Sequence, residues 1–71
     1  MKTTELARVR ELAASDTARA IRRLNRLSLN EVAVEVGVAI STVWRWENGQ
    51  RRPHGEAAIR YGRLLDELMR D

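Results

Sequence analysis

A chain of 71 residues with no cysteine and one histidine excludes a disulfide scaffold, a thiol nucleophile and a multi-ligand metal site, and leaves room for one small domain, residues 1–71. Such a chain buries only about 60% of its unfolded surface, so its core is thin and association with a second copy would help it. The formal net charge is +3. No apolar run approaches the ~18 residues of a membrane span, and the N-terminus lacks a signal-peptide core, so a soluble cytoplasmic protein is expected.

Twelve of the thirteen basic residues are arginine. Taken alone, this composition fits a solvated surface as well as a polyanion-binding one. Clustering tips the balance towards nucleic acid: Arg19, Arg22, Arg23 and Arg26 fall close together, and Arg51 and Arg52 are adjacent.

In chain order, residues 4–14 (TELARVRELAA) read as a helix capped by Thr4, with Leu6, Val9 and Ala13 on one side and Leu12 beside them. Ser15 and Asp16 either cap a new helix or are passed through by one long helix. Ser28 is a good N-cap, and Glu31, three residues on, completes a capping box. Val32, Ala33 and Val36 then recur at helical spacing, and Gly37 stands where a left-handed residue ends the helix. A second short helix starts near Ala39 and runs to about Asn48, stopped by Gly49, with Pro53 blocking an early restart. A last helix spans about residues 55–70. His54 or Gly55 lies at its start, and Glu56 in its first turn complements the helix dipole. Tyr61, Leu64, Leu68 and Met69 form an apolar strip along it, assigned to a second subunit in preference to the N-terminal helix.

Two short helices over residues 28–48, joined by a glycine-led turn, have the spacing of a helix-turn-helix. Leu27, Ser28, Glu31, Ala33, Gly37, Val38, Ser41, Thr42, Val43, Arg45, Trp46, Glu47, Gly49, Arg52 and Pro53 together resemble the phage repressor/Cro family of regulators without a gap. The resemblance extends to Ile21 and Arg22 upstream and to Glu56, Ile59, Arg60 and Leu65 downstream, about residues 16–65. It implies an all-α, lambda-repressor-like helical bundle, to which the N-terminal helix is an addition. It also implies that Ala18, Ile21 and Leu24 form the inward stripe of the family's first helix, that Ala58, Ile59, Gly62 and Leu65 take core positions, and that Val38, Val43 and Trp46 face the core. Arg22 then pairs with Glu47, the alternative being two ordinary surface charges. Trp44 lies about 200° round the helix from Trp46, so the two cannot be equally buried. Packing on sugar-phosphate and packing on a neighbouring helix both suit it.

The resemblance further implies double-stranded DNA as the partner, read by the second helix of the motif in the major groove. Ile40, Ser41 and Arg45 are the expected base-contacting side chains, with Trp44 beside them. Arg45 can span O6 and N7 of guanine, or else pair with an acid on its own helix. Ile40 cannot hydrogen-bond, which suits a thymine methyl or another protein surface. Ser41 suits a base, a phosphate or the helix start. Phosphate contacts are expected from the N–H groups of Leu29, Asn30 and Glu31 at a helix start, with the Asn30 side chain as a further donor, and from Arg51, Arg52, Arg19 and Arg23. Many family members carry glutamine at the position of Leu29, a grip on the backbone that leucine cannot make.

The leading expectation is a phage repressor- or Cro-like homodimer on a palindromic operator, with no cofactor, metal, membrane or small-molecule ligand. An antitoxin-type autoregulator and an excisionase-like architectural protein remain in the same class. A protein-interaction adaptor built on Ile40, Trp44, Leu29 and Val34 is the alternative from another class. Enzymatic activity is not expected, since Ser28 and Ser41 have no base nearby in sequence.

Overall fold

The computed structural model describes residues 2–70, which form five helices and no strand: α1 (Lys2–Ala14), α2 (Thr17–Leu24), α3 (Leu29–Val36), α4 (Ile40–Glu47) and α5 (Gly55–Met69). The all-α helical architecture expected from the sequence is the one observed. α1 begins at Lys2, so Thr4 lies inside its first turn and is not its cap. The chain breaks between α1 and α2. Ser15 Oγ donates to the Glu11 carbonyl at 2.9 Å and shares a 2.8 Å bond with Thr17 Oγ1, while Asp16 takes a left-handed φ of 66°. That single residue turns the chain, and two helices form where one continuous helix was also open.

On α2 the inward face is Ala18 and Ile21, with the Arg22 side chain largely buried beside them; at the exposed C-cap Asn25 Nδ2 donates to the Ile21 carbonyl at 2.8 Å. Leu24, expected inside, is 82% exposed. The reason is angular: each three-residue step falls about 60° short of a full turn, so a stripe stepping 18, 21, 24 walks off the face that Ala18, Ile21 and the largely buried Arg22 share. Beyond Leu24 the Leu27 N–H donates to the Arg22 carbonyl and the Arg26 N–H to the Arg23 carbonyl, closing the helix around Arg26 at φ 58°.

α3 opens on the expected capping box. Ser28 N–H donates to Glu31 Oε1 at 2.8 Å, and Glu31 N–H donates to Ser28 Oγ at 3.0 Å. The bonds to Ser28 hold the Glu31 carboxyl below the ordinary carboxylate range. This contribution is therefore present at neutral pH and is lost as pH falls through that lowered value. Gly37 follows at φ 83°, where a side chain would be strained, and the Val38 N–H donates back to the Ala33 carbonyl. Arg60 Nε donates to the Val36 carbonyl at 2.7 Å, tying the end of α3 to α5.

The core joins Val9 of α1, Ala18 and Ile21 of α2, Val32, Ala33 and Val36 of α3, Val43 and Trp46 of α4, and Ala58, Tyr61 and Leu65 of α5. Trp46 and Tyr61 stack with ring centroids 4.7 Å apart. Tyr61 is 1% exposed, so it belongs to the interior of its own chain and not to a subunit interface as expected. α1 packs on α5 at Gly62, one of the expected core positions. Val9 sits over Gly62, where an added Cβ would approach Val9 Cβ to 3.3 Å, tighter than ordinary van der Waals contact, so glycine suits the close approach of the two helices. Ion pairs Arg8–Asp66 at 2.7 Å and Arg63–Glu5 at 3.6 Å flank that contact. Of the proposed strip, Leu64 and Leu68 are half-buried against the core and Met69 is 41% exposed.

The Tyr61 hydroxyl is buried without a protein hydrogen-bond partner, and burial, reinforced by the Glu47 carboxylate, raises its pKa well above that of a free tyrosine. Tyr61→Phe is expected to keep the stacking on Trp46, remove an unsatisfied polar group and raise stability by about 1 kcal/mol in urea unfolding. A loss of similar size would mean that the hydroxyl is bonded in solution.

Candidate nucleic-acid interface

α4 is eight residues long, and its two faces differ completely. Val43, Trp46 and Glu47 are buried, while Ile40, Ser41, Trp44, Arg45 and the C-cap Asn48 are exposed. At about 100° per residue these five exposed positions fall within an arc of about 140°. The tryptophans separate as their angular spacing requires: Trp46 is 2% exposed and Trp44 is 44% exposed. Ile40 is 49% exposed, and Ser41 and Arg45 make no side-chain hydrogen bond or ion pair within the described residues. The start of α4 has Ala39 at its N-cap with no side-chain cap, so its first N–H groups are not claimed by a side chain. All four expected base-contacting side chains thus share one open surface. Asn48 adjoins the same arc, but its Nδ2 donates to the Trp44 carbonyl at 2.8 Å.

What holds α4 in this rotation is a buried carboxylate. Glu47, 4% exposed, accepts from Arg22 twice, Nε to Oε2 at 2.6 Å and Nη2 to Oε1 at 2.9 Å. This forked geometry, rather than proximity alone, fixes the helix. Arg22 Nη1 also donates to the Leu27 carbonyl at 2.9 Å, joining α2, α4 and the loop before α3. The hydrogen bond to Glu47 raises the Arg22 pKa further.

Arg19, expected at phosphate, instead turns inward. It donates to the Glu47 carbonyl and to Asn48 Oδ1, both at 3.0 Å, and lies 3.5 Å from Glu47 Oε1. It closes the C-terminal end of α4, where carbonyls need donors. The other arginines on the expected list are free for an anion. Arg23, Arg51 and Arg52 are exposed and have no acidic partner among the described residues, as is also true of Arg45 and Arg26. Arg51 and Arg52 border a hollow shared with Trp46 and Ala13 and Ala14 of α1. At the start of α3, Ser28 Oγ accepts from Glu31, while the N–H groups of Leu29 and Asn30 precede any intrahelical acceptor. The Leu29 side chain is half-buried on the core and Asn30 is exposed.

Arg10 was not singled out by sequence. Its Nε donates to the Pro53 carbonyl at 2.8 Å, so α1 anchors the segment that follows α4 and carries Arg51 and Arg52. A long charged side chain reaching a backbone carbonyl 43 residues away leaves no sequence signal. Among the described residues no helix is long and apolar enough to cross a membrane.

The comparisons agree with this geometry and extend it. No curated protein and no solved structure matches the chain. The family model described as "Helix-turn-helix domain" matches residues 4–68. The match takes in most of α1. With α3 and α4 forming the two helices of the motif, the chain belongs to the helix-turn-helix domain family of DNA-binding proteins.

Proposed function

We propose that this protein is a sequence-specific regulator of transcription, a small repressor of the phage repressor/Cro kind that binds an operator in cytoplasmic double-stranded DNA. The observation that carries it is the exposed arc of α4. Ile40, Ser41, Trp44 and Arg45 stand open together, backed by Trp46 and the Arg22–Glu47 pair. A helix with this profile fits the major groove, where each base pair shows a distinct pattern of donors, acceptors and methyl groups. The N–H groups at the start of α3 and the cations Arg51, Arg52 and Arg23 suit the phosphates on either side. Two copies on a palindrome would set their α4 helices about 34–36 Å apart, one turn of DNA. Leu64, Leu68 and Met69 remain as the α5 surface available to a second copy.

Selection of bound duplexes from random DNA, followed by anisotropy titration at two salt concentrations, tests this directly. A selected, two-fold symmetric site bound at least about 10³ more tightly than random duplex, with affinity falling as salt rises, is the expected result. Equal binding to selected and random duplex would contradict it.

A further inference from the structure

The open arc of α4 is composed of two parallel rows. Ile40 and Trp44 are four residues apart and form an apolar row. Ser41 and Arg45, also four apart, form a polar row beside it. Neither apolar side chain is needed by the core, for Ile40 is 49% and Trp44 44% exposed while Val43 and Trp46 fill the opposite side. Arg45 stands beside the apolar row and Arg51 follows the helix, neither with an acidic partner among the described residues, which suits a polyanion better than an uncharged protein surface.

In the major groove the base edges carry donors and acceptors throughout, with one apolar group among them, the C5 methyl of a pyrimidine. An isoleucine pressed against the N4 or N6 amino group of cytosine or adenine leaves that donor unsatisfied, whereas against a methyl it loses nothing. The two rows therefore select in different ways, one by hydrogen bonding and the other by rejecting bare polar edges.

We propose that Ile40 and Trp44 form a binding row for C5-methylated pyrimidine, so that the preferred site sets such a base next to the guanine read by Arg45. This inference rests on the functional reading above and names the chemistry that the site discriminates. The methyl has two sources, thymine and 5-methylcytosine, and they place the same group at the same position in the groove.

The test begins with duplexes selected from two random libraries, one with ordinary cytosine and one with 5-methylcytosine. Each thymine of the winning site is then replaced by uracil, and each 5-methylcytosine by cytosine. Both changes remove only the methyl. Binding is expected to weaken about 4-fold for each methyl facing the row. The penalty is expected to vanish in Ile40→Ala and Trp44→Ala, whose folding is checked by thermal melting. Sensitivity in the first library assigns thymine as the source, and sensitivity only in the second assigns 5-methylcytosine. A selected site indifferent to loss of every methyl overturns this inference and leaves the functional reading standing. Recovery of no selective duplex from either library, above all with self-association that shields Trp44, overturns both.

Discussion

Glu47→Ala is expected to destabilise the protein by about 3–5 kcal/mol, because it leaves the Arg22 guanidinium buried without its carboxylate. The Arg22 side chain is only 12% exposed, held by two bonds to Glu47 and one to the Leu27 carbonyl, so it cannot simply swing into water. A chain of this size has a total stability of about 4–10 kcal/mol, and one substitution removes a large part of it. Its melting temperature should fall by about 15 °C or more. Replacing both partners, Arg22→Met with Glu47→Leu, should recover most of the loss, since the penalty comes from a stranded charge and not from a missing attraction. Thermal unfolding followed by circular dichroism separates the cases. A single variant within about 1 kcal/mol of the parent would show that the pair is solvated and does not fix α4.

Arg45→Ala and Arg51→Ala are expected to fail in different ways. Arg45 sits on the open arc of α4 with no acid to hold it among the described residues, free to form the forked bond to guanine O6 and N7. Its loss should cost about 1–3 kcal/mol against the preferred site and relax selectivity at one base pair. Arg51 lies in the segment leaving α4, where a phosphate contact carries charge but no sequence information. Its loss should weaken specific and random duplex alike and flatten the dependence of log affinity on log salt by about one unit. Equal losses on both duplexes for Arg45→Ala would remove it from the base-reading set.

Local chemistry was legible in the sequence. The Ser28–Glu31 capping box, the left-handed turn at Gly37 and the unequal burial of Trp44 and Trp46 each depend on residues a few positions apart. Each appeared where helix geometry put it. The misses have other causes. Leu24 belongs to the inward stripe that the resemblance implies, but a step of three drifts off a helix face, and here it is exposed. Tyr61 lies in the core because Trp46, fifteen residues earlier, supplies a ring for it to stack on. α1 takes its place on α5 because Gly62 admits Val9 and because Asp16 turns the chain. Arg19 turns inward to a carbonyl 28 residues away. The last three depend on a long-range partner or an unusual backbone angle, and residue type carries no record of either.

That the open arc of α4 enters the major groove can be tested by methylation protection of guanine N7, which lies in that groove and nowhere else. On the selected site the parent protein should shield one guanine in each half-site. Arg45→Ala, still bound at higher concentration, should leave that same guanine reactive. Full reactivity of every guanine N7 under saturating parent protein, or unchanged shielding by Arg45→Ala, would contradict the placement of α4.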